Sequence, residues 1–171
     1  GASVVNALSI YAKAVVHRDG GMHMQEYKQG KAKAKVKKID SSKLRGTITT
    51  FEPDPEIFAE IKFNWNTIVS HLRQQAYLVK GLEINILDLR ETDAKHIDEE
   101  VFWLRDLALP APSMNFYFEG GLHSLITFMN KHQKVMHDDV FYVEKEVGSV
   151  MVEIALQYID DITTREVAFA N

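Results

Sequence analysis

The stretch that decides the fold is residues 11–27, with the sequence YAKAVVHRDGGMHMQEY. Residues 11–18 are rich in apolar and β-branched side chains, which favour a strand. The following Asp19-Gly20-Gly21 is typical of a tight turn between two strands, and residues 22–27 favour a second strand. The sequence therefore predicts a β-hairpin near the start of the chain.

Two more strands are predicted to follow this hairpin. Residues 33–39 favour a third strand, and residues 46–51 favour a fourth. The fourth is expected to end at Glu52-Pro53-Asp54-Pro55, because proline donates no backbone hydrogen bond to a sheet. The first third of the chain is thus predicted to be mainly β.

Helical periodicity appears next. Apolar residues recur at three- and four-residue spacing in residues 65–79, which predicts a helix with Asn66 as its cap that ends before Gly81. Residues 82–89 then show the alternation of side-chain type that favours a strand. Residues 91–115 are irregular, with acidic residues early and prolines late, and are interpreted as an inserted excursion. The later elements are predicted as a helix at 122–129 and strands near 140–143, 150–158 and 166–170.

Composition places limits on function. The 171 residues are 46% hydrophobic and 26% charged, which suits one good core or two small ones. The net charge of −4 gives no global attraction to DNA or membrane, so any nucleic-acid contact has to come from a local patch. The absence of cysteine excludes disulfides and thiolate metal sites. We expect a cytoplasmic protein of mixed α and β structure, without a membrane span.

The first nine residues, GASVVNALS, combine a glycine and two small residues with an apolar helical face. Backbone N–H groups at a helix start are unpaired and favour anions, so these residues fit a phosphate-binding helix start. On these residues alone, an ordinary helix cap without a ligand is the favoured interpretation. Because the chain opens directly on this helix, we expect it to be an internal fragment.

Three other groups of residues have a functional and a structural interpretation. Alternating lysines at 31, 33, 35 and 37 would form a DNA-phosphate stripe on a continuous strand, or a solvated edge that blocks strand pairing. The aromatic residues Phe116, Tyr117 and Phe118 could stack on bases, but consecutive aromatics are more typical of a core. His132 and His137, followed by two aspartates, have spacing that fits no helical ligand pair, so ordinary loop residues are favoured over a metal site.

Five segments taken together carry a family resemblance. They are residues 1–9, Arg18-Asp19-Gly20, Gly46-Thr47 with Phe51-x-Pro53-Asp54, residues 116–121 (FYFEGG) and residues 152–158 (VEIALQY). In this order and at similar spacing they resemble the ATPase subunits of bacterial type IIA topoisomerases, namely the B subunit of DNA gyrase and its paralogue, the E subunit of topoisomerase IV. The resemblance covers nearly the whole chain except residues 91–115.

The resemblance implies an α+β fold in two parts. Residues 1–115 would be the later half of a Bergerat-type (GHKL) ATPase domain, the type shared with histidine kinases and the repair protein MutL, with 91–115 as an insertion. Residues 116–171 would be the first part of a transducer domain like ribosomal protein S5.

The resemblance also implies a nucleotide site. Gly1 matches the last glycine of the family's phosphate loop, so Gly1 and Ala2 would offer backbone donors to the β- and γ-phosphates. Thr47 matches the threonine whose hydroxyl helps to hold adenine, and Gly46 leaves space beside it. Without the resemblance, Thr47 is interpreted as a β-favouring residue on an exposed strand.

Two further positions shape the implied pocket. Arg18 matches the arginine at the pocket rim, although a solvated charge at a strand end fits it as well. Thr49 stands where many relatives carry an apolar residue that lines the pocket. The family's catalytic glutamate, magnesium-binding asparagine and adenine-reading aspartate match positions before Gly1. We therefore assign no catalytic residue and no metal ligand here, and expect the chain not to hydrolyse ATP by itself.

The function implied is that of the ATP-binding B subunit of DNA gyrase, which couples ATP hydrolysis to DNA strand passage and negative supercoiling. ATP and Mg²⁺ would be its cofactors. Its partners would be the A subunit of gyrase in an A2B2 heterotetramer, DNA, and a second copy of itself when ATP binds. The alternatives are the E subunit of topoisomerase IV, or a MutL-like or degenerate nucleotide-binding module without topoisomerase activity.

Overall fold

The structure, a computed structural model, describes residues 1–92, 103 and 108–170. The chain divides into two compact units. The first unit comprises Gly1–Phe63 and Glu91–Pro110, and the second comprises Asn64–Arg90 and Ala111–Asn171. Both helices and strands occur in each unit, which confirms the predicted α+β class. In the described ranges no helix is long and apolar enough to cross a membrane.

In its described residues, the first unit is a five-stranded antiparallel sheet with one short helix. β1 lies at the centre of the pairing, between β2 and β5, while β3 and β4 both pair with the outer side of β2. The bounds of these elements are α1 Ala2–Ala7, β1 Ser9–Arg18, β2 Gly21–Lys28, β3 Lys31–Ala32, β4 Lys37–Ser41 and β5 Gly46–Pro53.

The predicted hairpin is confirmed by the pairing of β1 with β2, in which Arg18 lies opposite Gly21. The two residues between them, Asp19 and Gly20, have φ angles of 52° and 76°. A two-residue loop with positive φ at both positions matches the right-handed twist of the flanking strands. The predicted fourth strand is also confirmed as β5, and it continues two residues further, through Pro53.

The predicted third strand at residues 33–39 is wrong in its first half. Pairing with β2 breaks off after Ala32 and resumes only at Lys37, so the segment becomes two short strands. The residues between them are exposed and have no apolar face to bury. In their place the Gln25 side chain donates to the Ala34 carbonyl oxygen at 2.9 Å. A single strand carrying four alternating lysines is therefore not formed.

The second unit begins with helix α2, Trp65–Leu78. Its cap is Asn64, whose side-chain oxygen accepts from the Thr67 N–H at 3.0 Å, and the prediction of Asn66 as cap is wrong. Trp65 packs on the core of this unit, so the helix has to begin there and the cap falls one residue earlier.

The core of the second unit lies between α2 and a two-stranded sheet of β6, Glu83–Leu87, and β7, Ser113–Tyr117. Ala76, Ile86 and Phe116 are buried at its centre. Phe118 packs against this core and stacks on the Tyr77 ring with centroids 3.9 Å apart. Phe116 and Phe118 thus contribute to the core, as the structural interpretation of these aromatic residues predicted.

Helix α3, Leu122–Asn130, confirms the predicted helix at 122–129. A second hairpin follows it, made of β8, Phe141–Val147, and β9, Val150–Leu156. The predicted strand at 166–170 is wrong, because these residues are exposed and form no strand in the described structure. Alternation alone does not make a strand where no partner accepts its hydrogen bonds.

Candidate functional site

The residues expected to contact adenine meet on one face of the first unit's sheet. Thr47 lies opposite Val16 of β1, and Thr49 lies opposite Ala14. Directly opposed residues point to the same side of a sheet, and side chains alternate along each strand. Arg18, two residues after Val16, therefore shares this face, which we call the threonine face.

The opposite face of the same strands is buried. Val15 is 0% exposed and His17 is 3% exposed. His17 is opposite Gly46 in the register and hydrogen-bonds through Nδ1 to Ser42 Oγ at 2.8 Å. This packing fixes the orientation of β1 and β5. Thr47 and Thr49 are consequently held outward and are exposed.

The Arg18 guanidinium lies at the rim of the threonine face. Its Nε donates to Asp19 Oδ2 at 3.1 Å, and both side chains are largely exposed. An ion pair in water contributes little stability. The arginine is therefore free to exchange this neighbour for an anionic ligand at small cost.

The expected phosphate contacts, Gly1 and Ala2, form the start of α1. Gly1 is the N-cap, and its carbonyl oxygen accepts from the N–H groups of Val4 and Val5 at 3.0 and 3.2 Å. No side chain caps this helix start. Exposed backbone donors are thus available there, as the prediction of a phosphate-binding helix start requires.

A cavity of about 290 Å³ shows on which face α1 lies. Its lining is mainly apolar and includes Val4, Val5 and Leu8 of α1 together with Phe51 and Pro53 of β5. Phe51 comes two residues after Thr49 and four after Thr47 on the same strand, so its side chain lies on the threonine face. The helix that carries Gly1 and Ala2 accordingly covers one end of the face that carries Thr47 at the other. None of the expected nucleotide contacts lines the cavity itself.

The turn between β2 and β3 holds the end of α1. The Gln29 N–H donates to the Ser9 carbonyl oxygen at 2.9 Å, and the Gly30 N–H donates to that of Asn6 at 3.1 Å. A β-carbon on Gly30 would lie 3.3 Å from the Ala7 Cα. Since Gly30 also has a φ of 78°, only glycine fits this position without strain.

Asp54 joins α1, the turn and β5. It is 0% exposed, and its carboxylate accepts from Gln29 Nε2 at 2.7 Å and from the Glu56 N–H at 2.9 Å. Its own N–H donates to the Leu8 carbonyl oxygen at 3.0 Å. These hydrogen bonds favour the ionised form and lower the pKa of Asp54, the largest contribution being that of Gln29. Sequence reasoning used this aspartate only as part of a motif and missed its structural role.

Metal ligands are not gathered in the part of the chain that the structure describes. No group of three or more His, Asp or Glu side chains is placed there to hold a metal ion. His137 contacts main-chain groups instead, through Nδ1 with the Asp139 carbonyl oxygen and through Nε2, which accepts from the Tyr158 N–H.

Several known proteins are similar to this chain over its whole length. The DNA gyrase B subunit of Halalkalibacterium halodurans is 37% identical over 172 residues, which is 100% of this chain and 24% of that protein. The DNA gyrase B subunit of Clostridium acetobutylicum is 36% identical over the same shares. Over its whole length the chain is similar to DNA gyrase B subunits. No protein-family model matches it. It spans about a quarter of the length of these relatives.

A solved structure extends this likeness to the fold. The 43K ATPase domain of Thermus thermophilus gyrase B, crystallised in complex with an aminocoumarin, superposes with a TM-score of 0.76 and 27% identity. The match covers 92% of this chain and 38% of that one. The predicted GHKL-type ATPase fold of the gyrase B family is thereby confirmed. The predicted domain boundary near Phe116 and the assignment of individual site residues stay predictions.

Proposed function

We propose that this chain supplies part of the ATP site of a gyrase B-type protein. One observation carries the proposal: the helix that begins at Gly1 lies, through Val4, Val5 and Leu8, on the same face of the sheet that carries Thr47. A threonine hydroxyl can exchange hydrogen bonds with an adenine edge, and free backbone N–H groups at a helix start favour phosphate. The base of a nucleotide can bind to the first kind of group and its phosphates to the second.

Each residue would have a distinct part in binding. Thr47 Oγ1 would hydrogen-bond the base, with Gly46 leaving room for it, and Thr49 would line the pocket floor. Arg18 would lie at the rim, where its planar guanidinium can stack on the base or pair with an anion. Gly1 and Ala2 would donate to the phosphates. No group of this chain is assigned to activate the water that would cleave the phosphoanhydride bond of ATP.

In the complete gyrase B protein, ATP binding would bring two copies together, and hydrolysis would be coupled to DNA strand passage and negative supercoiling. The A subunit of gyrase and DNA would be its partners, and Mg²⁺ would be held by ligands outside this chain. Its expected place is the cytoplasm. Support for gyrase over the E subunit of topoisomerase IV or a MutL-like module comes from the relatives, at 36% and 37% identity.

A nucleotide titration of the full chain, followed by NMR amide shifts, tests the ATP site. Thr47→Val should weaken ATP binding about five- to tenfold, the equivalent of one lost hydrogen bond. Thr50→Val is a matched control, because Thr50 lies opposite Lys13 on the other face of the same strand. It should change the affinity less than about twofold, within the usual effect of a surface substitution.

Two results would count against this site. Equal weakening by the two valine variants would show that the threonine face does not contact the base. NMR amide shifts confined to the second unit would show that the nucleotide binds to that unit instead.

The activity is measured in two assays. The release of phosphate from ATP should stay at background for the chain alone. The supercoiling activity should be assayed in the complete gyrase B protein mixed with the gyrase A protein.

A further inference from the structure

Cationic residues are concentrated on one edge of the first unit's sheet. Residues 28–45 contain eight of the chain's twenty Lys and Arg residues but only one of its twenty-four Asp and Glu residues. We call this segment the lysine edge. The eight cations are Lys28, Lys31, Lys33, Lys35, Lys37, Lys38, Lys43 and Arg45.

The structure gathers this charge in space. β3 and β4 both pair with the outer side of β2, so the six lysines from Lys28 to Lys38 border a single sheet edge, and Lys43 and Arg45 follow in the loop that leads to β5. All eight residues are exposed. The local net charge is +7, while the rest of the chain has twelve cations against twenty-three acids. An anionic partner would therefore be attracted to this edge and repelled by the remaining surface.

The cations of the lysine edge form no ion pairs within the described residues. Some cations elsewhere in the described chain are paired with acids, as in Lys80 with Glu144 and Lys134 with Asp160. Here the charges oppose one another instead. Lys28 and Lys31 lie directly opposite each other at the β2–β3 turn, an arrangement that destabilises a sheet.

Protection of the edge against strand pairing does not account for this arrangement. Charged side chains block such pairing, but they need not be almost all of one sign. Eight cations with one acid, including a like-charge pair across a turn, cost stability that a bound polyanion would recover. The β4 strand has five residues, so it extends for about 17 Å, and this length of duplex DNA carries about ten phosphates.

We propose that the lysine edge binds the phosphate backbone of double-stranded DNA. The contacts are to phosphates and carry no sequence preference. Binding at this edge needs no nucleotide, so it goes beyond the ATP site and is tested separately from it. A failure of one proposal leaves the other standing.

The test is the binding of a fluorescein-labelled 20-base-pair duplex to the full chain, measured by anisotropy from 50 to 200 mM KCl without ATP. The first variant replaces Lys31, Lys33, Lys35 and Lys37 by glutamine. It should weaken binding at least about tenfold at 100 mM KCl, and should make the slope of log K against log salt less negative by about 3 to 4.

A control variant carries the same change in net charge at residues that do not belong to the lysine edge, with glutamine at Lys62, Lys131, Lys145 and Arg165, which are all exposed. It should lower the affinity less than about threefold, because it leaves the proposed phosphate contacts in place. Equal losses in the two variants would overturn the proposal, and so would a chain that does not bind the duplex at 50 mM KCl.

A second variant, Lys31→Glu, separates binding from folding. It places an opposite charge across from Lys28, so it should raise the thermal midpoint by about 1–3 °C while it weakens DNA binding at least about fivefold. Unchanged DNA binding in this better-folded variant would refute the assignment. Competition with poly-glutamate is a further test. If poly-glutamate at equal charge displaces the labelled duplex as effectively as unlabelled duplex does, the assignment to DNA is refuted and an acidic protein partner is indicated.

Discussion

Replacement of Gly30 by alanine tests the contact between α1 and the sheet. Gly20 provides a matched comparison, because each glycine is the second residue of a two-residue hairpin turn. Their φ angles are 78° and 76°. A β-carbon on Gly20 would meet nothing within 4 Å, whereas one on Gly30 would lie 3.3 Å from the Ala7 Cα. The two variants differ only in that contact.

The expected cost follows from these geometries. Positive φ costs an alanine about 1–2 kcal/mol. A gain of about 0.4–1 kcal/mol from the less flexible unfolded chain offsets part of this. Gly20→Ala should therefore destabilise by about 1 kcal/mol. Gly30→Ala should cost a further 1–3 kcal/mol or so, because the main chain of α1 has to move aside.

Hydrogen exchange of the Gln29 amide measures this difference, since its N–H donates to the Ser9 carbonyl oxygen beside α1. The Gln29 amide exchanges when this region opens, so Gly30→Ala should speed its exchange at least about fivefold more than Gly20→Ala does. This ratio corresponds to a difference of about 1 kcal/mol in the free energy of opening. Equal exchange rates in the two variants would refute the reasoning. They would mean that α1 does not rest on the β2–β3 turn.

Three further substitutions have expected outcomes. Because its folded-state pKa is lowered, Asp54 stabilises the fold above its unfolded-state pKa of about 3.9. This contribution is lost as the pH falls through the lower folded-state pKa, so the urea midpoints of wild type and Asp54→Asn should converge as the pH falls below about 4. Phe116→Ala should cost about 3 kcal/mol in urea unfolding, against less than about 1 kcal/mol for Tyr117→Ala, whose side chain is half exposed. Lys80→Gln should raise the lowered pKa of Glu144 towards 4.5 in a carbon-13 NMR titration, with a stability loss under about 1 kcal/mol because the pair is partly exposed. A pKa of Glu144 unchanged by that substitution would contradict the hydrogen bond at 2.6 Å.

Some elements could be predicted from their own residues alone. The Asp19-Gly20 turn and the amphipathic helix α2 carry their signals within a few residues. The strand predicted from Lys33 failed in its first half because strand-favouring composition was taken as evidence of pairing, although every side chain from Lys33 to Val36 is exposed. The strand predicted at 166–170 failed in the same way, since every residue there is exposed. Strand prediction depends on a partner that the sequence does not reveal.

The site was predictable to a different degree. The family motifs pointed to Arg18, Thr47 and Thr49, and the strand register puts these three residues on one face. The hydrogen bond between Gln29 and Asp54 was not predictable, because the two residues are 25 positions apart and each looks like an ordinary polar residue. An aspartate between two prolines was the available signal, since such a residue is often held by main-chain donors.

Strand β5 connects the two halves of the proposed ATP site. Its first residues, Gly46 and Thr47, are the expected adenine contacts, and its last residue precedes Asp54, which hydrogen-bonds to the end of α1. The start of α1 carries the expected phosphate contacts. A displacement of α1 at the Asp54 end would therefore move the phosphate donors relative to Thr47, although neither group is altered. For this reason Gly30→Ala should weaken ATP binding more than Gly20→Ala does, whereas both should leave the pairing of β1 with β5 intact.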